Sequence, residues 1–139
     1  YAYESRGGTK VSARELGVEH HQVIKTLIME DHESKPLIVL MHGNQEVSTR
    51  ALARHMGVKT VKPCKPDVAQ RHSGYQVGGT SPFGTRKTMP VYVQKSIIEL
   101  PLIYINGGQR GLLISISPVA LQTLLPLELV EVAQSTIAD

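Results

Sequence analysis

The 139-residue chain has one cysteine, Cys64, so no disulfide can form within it and nothing points to an oxidising compartment. No apolar run approaches the ~20 residues a membrane-spanning helix needs, and no secretory signal pattern is present. The expectation is a cytoplasmic protein with no membrane partner. Linkers and low-complexity segments are also missing. A chain of this length can bury roughly two-thirds of its unfolded surface around one core. One domain over residues 1–139 is therefore expected, and a start at Tyr1 without Met leaves room for residues upstream in the native chain.

Familiar catalytic signatures are missing too. Gly79 to Gly84 has the Gly-x-x-x-x-Gly spacing, but Thr85 and Arg86 follow where a P-loop needs Lys and then Ser or Thr. Ser81 is not in a nucleophile elbow, because Phe83 takes the place of its last glycine. The six histidines form no His-Glu-x-x-His and the single cysteine no Cys-x-x-Cys, so they read as scattered surface residues, with neither a metal nor a cofactor expected. Cys64, between Pro63 and Lys65, reads as a passive thiol.

A formal charge of +3 says little until it is divided along the chain. Residues 50–72 carry Arg50, Arg54, Lys59, Lys62, Lys65 and Arg71 against Asp67 alone, and residues 73–110 add Arg86, Lys87, Lys95 and Arg110 against Glu99. Residues 111–139 carry only acids. A basic middle segment suits a polyanion such as nucleic acid, and equally suits a solvated basic face with no partner.

The local pattern alternates short helices and strands. Thr9 can cap a helix over 10–16 ended by Gly17, and Ser48 one over 49–56 ended by Gly57. Pro66 opens a third helix through about His72, and Ser117-Pro118 a fourth through about 125. Strands are expected at 23–30, 37–41, 58–62, 75–78, 90–94, 102–106, 112–116 and 128–132. The turn from Asp31 to Pro36 makes the first two a hairpin, and Gly107 to Gly111 closes a second. The sum is an α+β domain on a curved, barrel-like mixed sheet of about six to eight short strands with several short helices.

Lys25 is the most unusual placement. In the run Val23-Ile24-Lys25-Thr26-Leu27-Ile28-Met29 both strand faces are apolar, so Lys25 has apolar neighbours whichever way the strand lies. A lysine there is tethered to a carboxylate, lines a pocket, or lays its stem on apolar surface with its ammonium in water.

The order Val23-Ile24-Lys25-Thr26-Leu27, Val68-Ala69-Gln70-Arg71, Gly74 through Gly84, and Ile103-Tyr104-Ile105-Asn106-Gly107-Gly108-Gln109-Arg110-Gly111 resembles the YbaK family. These are free-standing aminoacyl-tRNA deacylases related to the editing domain of bacterial prolyl-tRNA synthetase. The likeness runs from Tyr3 to about Val132. It implies trans-editing: ester cleavage that removes a mischarged small amino acid, cysteine, alanine or similar, from tRNA, with tRNA(Pro) the expected acceptor. Partners implied are the aminoacylated 3′ end of tRNA and prolyl-tRNA synthetase, and a non-catalytic tRNA-binding module of the same fold is the alternative.

Carried over by position, the resemblance makes Lys25 and Tyr3 the catalytic candidates. Thr26, Gly78, Gly79, Ser81, Asn106, Gly107 and Gly108 are expected at the substrate. With the charge distribution, Arg50, Arg54, Lys62, Arg86 and Arg110 become candidate tRNA contacts. Departures fall near the pocket: Asn106 stands where cysteine-specific members have Ser, Leu113 where they have Asp, and Gly8 where they have Phe.

Overall fold

The apolar run after the His20-His21 doublet forms the longest strand, β1 (Val23–Asp31), which turns directly into β2 (Pro36–His42). The turn is held by Asp31, whose Oδ1 accepts from the backbone N–H groups of Glu33 at 2.8 Å and Lys35 at 3.0 Å. The antiparallel register sets Lys25 opposite Met41 and Leu27 opposite Val39. The computed structural model describes residues 1–4 and 7–135.

Around this hairpin the remaining elements follow in chain order. Before it come α1 (Gly8–Leu16) and a single 3-10 turn at His20–Gln22. After it come β3 (Gln45–Val47), α2 (Thr49–Met56), β4 (Val61–Pro63), α3 (Pro66–Ser73), β5 (Val91–Gln94) and α4 (Lys95–Ile98). The last are β6 (Ile103–Asn106), β7 (Leu113–Ile116), α5 (Pro118–Leu124), β8 (Leu127–Val130) and β9 (Ala133–Ser135). Seven strands make one mixed sheet in the order β7-β6-β1-β2-β5-β8, with β4 also on β1, and β3 pairs with β9 in a second, two-stranded sheet.

Opposite β2, one edge of β1 serves two strands. Its first residues run parallel to β6, Val23 beside Tyr104 and Ile24 beside Ile105, while Met29 to Asp31 run antiparallel to β4. A mixed sheet with a core on each face results. Ile24, Ile28, Ile38, Leu40, Val93, Ile97, Ile103, Ile105 and Leu121 are buried on one side. Met29, Leu37, Val39, Met41, Leu52 and Val61 are buried on the other. Covered on both faces, the five residues Leu37 to Met41 are each at most 1% exposed, and burial of each such side chain contributes about 1.5–3 kcal/mol.

Local signals set most helix ends. Ser48 Oγ accepts from Ala51 N and Ser117 Oγ from Ala120 N, as expected of caps, and Gly17 and Gly57 close their helices at positive φ. Thr9 is not the cap of α1: the helix already starts at Gly8, and Thr9 Oγ1 turns away to Gly43 O and His20 Nε2. Residues 75–78 are not a strand, because Ser73 Oγ takes the Tyr75 N–H at 3.1 Å and Gly78 adopts φ +91°. The strand expected at 58–62 is reduced to Val61–Pro63. The histidines are not all on the surface either: His42 is fully buried and His72 is 8% exposed.

Candidate active site

On β1, Lys25 shares the side of Leu27 and Met29, opposite Ile24, Thr26 and Ile28. Its side chain is 17% exposed, and its Nζ lies 3.3 Å from Glu46 Oε1 on β3, itself 56% exposed. The lysine is thus the tethered kind, with its counter-charge on a more exposed side chain. Continuing the β1–β6 register by one residue brings Asn106 beside Lys25 on the same sheet face.

Asn106 ties two loops together. Its Nδ2 donates to Gly78 O at 3.1 Å and to Gln109 O at 3.0 Å, while its Oδ1 accepts from Gly108 N at 2.7 Å. The loops approach at backbone distance: a Cβ on Gly79 would sit 2.8 Å from Arg110 N and 2.9 Å from Gln109 C, so only glycine fits there. Tyr3 packs into the same junction, its hydroxyl 2.8 Å from where a Cβ on Gly78 would be. The Arg110 guanidinium lies 4.9 Å from the centre of the Tyr3 ring, and Arg110 Nε donates to Val77 O. Tyr3, Gly78, Gly79, Asn106, Gly107, Gly108 and Arg110 are therefore brought together, with Lys25 on the strand next to Asn106.

Three of the glycine amides are committed within the loops. Gly79 N donates to Gln76 O, Gly107 N to Leu112 O, and Gly108 N to Asn106 Oδ1. These glycines serve close packing, so the positive groups here are side chains: the Arg110 guanidinium over Tyr3 and, on the strand next to Asn106, the Lys25 ammonium. Ser81 is 2% exposed and its Oγ accepts from Phe83 N, so it shapes its own turn. Thr26 lies on the opposite face of β1 from Lys25, its Oγ1 buried without a hydrogen-bond partner among the described residues.

Two neighbours of Lys25 lie outside the sequence expectation. Glu46 is one; the other is His20, whose pKa is lowered by burial first and then by the charges of Lys25 and Lys10. His20 Nε2 is 2.8 Å from Thr9 Oγ1, which donates to Gly43 O at 3.2 Å. Gly43 completes this corner, since a Cβ on it would meet Thr9, Val23 O and His20 within 2.8 Å. The His20-His21 doublet was visible in the sequence; nothing local marked Glu46.

The basic residues fall in separate places. Arg50, Arg54 and Lys59 line an open groove of about 390 Å³ between α2 and β4. Arg71 and Arg86 line another, of about 440 Å³, with Asp67, Gln70 and Tyr75. Lys62 stands opposite Glu30 in the β1–β4 ladder, and Arg110 is at the loop junction.

A family model described as the aminoacyl-tRNA editing domain matches residues 6–124. A protein of Enterococcus faecalis assigned as the Cys-tRNA(Pro)/Cys-tRNA(Cys) deacylase EbsC is 31% identical over 112 residues, which span 81% of this chain and 68% of that one. A proline–tRNA ligase of Limosilactobacillus fermentum is 26% identical over 104 residues, 72% of this chain but only 18% of the ligase. A solved structure described as a trans-editing enzyme for prolyl-tRNA synthetase superposes with a TM-score of 0.85 over 94% of this chain and 82% of that one. At 21% identity this last likeness speaks for the fold.

Proposed function

Because the chain belongs to the aminoacyl-tRNA editing domain family, we propose that it is a trans-acting deacylase that cleaves a mischarged small amino acid, cysteine, alanine or similar, from tRNA(Pro). The need for such an activity is physical. A synthetase pocket separates near-isosteric side chains by only about 1–3 kcal/mol, so a second site must remove the errors. Prolyl-tRNA synthetase is the partner this reading implies.

The observation that carries the reading is the Lys25 side chain, mostly buried yet tethered to a half-exposed carboxylate, at the strand position beside Asn106, whose side chain pins the two glycine loops. An aminoacyl ester is already activated, so positioning and one well-placed cation suffice without a Ser-His-Asp triad. Water adds to the carbonyl carbon and Lys25 stabilises the oxygen that becomes negative. The bond to the ribose oxygen then breaks, and that oxygen leaves with a proton as the terminal hydroxyl. For a cysteinyl ester the substrate thiol can replace water, forming a thiolactone with the same leaving group. The glycines keep the two loops close enough to exclude large side chains.

The test is a panel of mischarged tRNAs with wild type and Lys25→Ala. Loss of deacylation in the variant supports the reading; equal rates remove Lys25 from the chemistry. The committed amides of Gly79, Gly107 and Gly108 favour a second reading, a tRNA-binding module without catalysis. It requires salt-sensitive binding with no charged tRNA turned over.

A further inference from the structure

On the opposite side of β1 from Lys25, three ligand-type side chains meet that the proposed chemistry does not use. Glu30, Cys64 and His72 each offer one donor atom, and these atoms all lie within 4.8 Å of one another. They come from three elements: Glu30 from β1, Cys64 from the link between β4 and α3, and His72 from the last turn of α3. All three backbones are held in place. Cys64 N donates to Ile28 O on β1, Glu30 sits in the ladders with Pro36 and Lys62, and His72 O accepts from Lys87 N.

The grouping is short of hydrogen bonds for its burial. His72 is 8% exposed, and only Nε2 of its ring has a partner, Glu30 Oε2 at 2.9 Å. Its Nδ1 is buried with no partner among the described residues. If Nε2 carries the proton to Glu30, Nδ1 is a lone pair without a donor, and either way the ring has an open coordination valence. Glu30 lies five positions beyond Lys25 along β1, or about 16 Å of strand, so this place is distinct from the Lys25 junction.

From this geometry we propose that Glu30, Cys64 and His72 bind one divalent transition-metal ion of the zinc class. One sulfur, one imidazole nitrogen and one carboxylate oxygen match the borderline-soft preference of such ions and not that of Mg²⁺ or Ca²⁺. Around a tetrahedral ion with metal–ligand distances of about 2.0–2.3 Å, neighbouring donor atoms stand roughly 3.5 Å apart, a spacing the cluster reaches with small side-chain movements. Three protein donors leave a fourth position for water. Coordination replaces the thiol proton of Cys64, and the thiolate and carboxylate together balance the ion against the nearby Lys62. The bound ion would fasten β4 and α3 to β1, and α3 runs at Gly74 into Tyr75, whose ring packs against Gly108 of the substrate hairpin.

The test uses the full chain, reduced and stripped of metal with a chelator, and titrated with Co²⁺ alone and then Zn²⁺. Cys64 is the chain's sole cysteine, so a thiolate-to-cobalt charge-transfer band can arise only from this place. The expected result is one Co²⁺ per chain with that band, bleached by one equivalent of Zn²⁺. The band should vanish in Cys64→Ser, and Co²⁺ affinity should fall at least tenfold in Glu30→Gln. His72→Gln should do the same; circular dichroism shows whether that buried substitution still folds, and the other two variants carry the test if it does not. No charge-transfer band in wild type, or Co²⁺ affinity unchanged in Cys64→Ser and Glu30→Gln, overturns the proposal. None of these readouts involves tRNA, so deacylation can fail or succeed independently.

Discussion

Replacing Lys25 with methionine separates chemistry from stability at one position. The Lys25–Glu46 pair joins a 17% exposed cation to a 56% exposed carboxylate, so solvent screens much of it and its net contribution is only about 0.2–1 kcal/mol. Methionine keeps the stem over Met41, the cross-strand partner, and leaves Glu46 free to hydrate. Stability should therefore change by less than about 1 kcal/mol, a shift of only a few degrees in Tm for a domain of this size. Catalysis should respond differently, since removing one donor to a developing oxyanion costs about 10²–10³ in rate, or about 2.7–4 kcal/mol. The assay is single-turnover deacylation of Cys-tRNA(Pro) and Ala-tRNA(Pro), with melting curves on the same samples. Lys25→Arg, which retains charge in a larger planar head, should fall between the two. Rates for Lys25→Met within threefold of wild type on both substrates would refute the role of the ammonium. A large loss accompanied by a fall of ten degrees or more in Tm would instead mark Lys25 as structural.

Asn106→Ser shortens the side chain that joins Gly78 O to Gly108 N; with the inter-loop bond gone, stability should drop by about 1 kcal/mol and the kcat/KM ratio between cysteinyl and alanyl substrates should rise, an unchanged ratio counting against Asn106 as a specificity residue. Charge reversal of Arg50 and Arg54, both lining the groove beside β4, should raise KM for tRNA about tenfold with kcat little changed, and should flatten the salt dependence by nearly one unit of log–log slope per lost phosphate contact. His42 is buried with Nδ1 at His21 O and Nε2 at Ser96 Oγ, and burial lowers its pKa below the ordinary 6.5. The unfolded chain then binds the proton more readily, so stability is full above about pH 6.5 and is lost as pH falls toward the folded-state pKa; His20 acts in the same direction. Melting at pH 7.5 and 5.5 should show a larger acid-induced drop in wild type than in His42→Gln, and equal drops would remove His42 from the effect.

What could be read beforehand was what short stretches decide by themselves. The caps at Ser48 and Ser117 work through a hydroxyl and an amide three residues apart, and the β1–β2 hairpin needs only two apolar runs and the Asp31 turn. Strands β3 and β9 gave no such signal, because each is three residues long and their pairing, Val47 with Ala133, spans most of the chain. Thr9 departs from its expected role for a related reason: its hydroxyl has a local use as a cap and a tertiary use at Gly43 and His20, and the tertiary one prevails.

The same division runs through the site, and strand β1 explains it. Alternation along Val23–Asp31 was legible and marked Lys25 as anomalous, but periodicity cannot say which other strands flank each face. Those neighbours decide the chemistry. On one face β3 supplies Glu46 and β6 supplies Asn106, giving Lys25 a counter-charge and a route to the glycine loops. On the other, α3 and the residue after β4 bring His72 and Cys64 to Glu30. A one-residue slip of β1 against β2 would exchange the two faces, setting the ammonium of Lys25 against Ile38 and Leu40 and turning Glu30 toward Leu52. Each buried charge without its partner would cost several kcal/mol. Lys25 and Glu30 therefore add a penalty against that slip to the register the Asp31 turn already sets, and the two clusters stay on opposite faces of the strand.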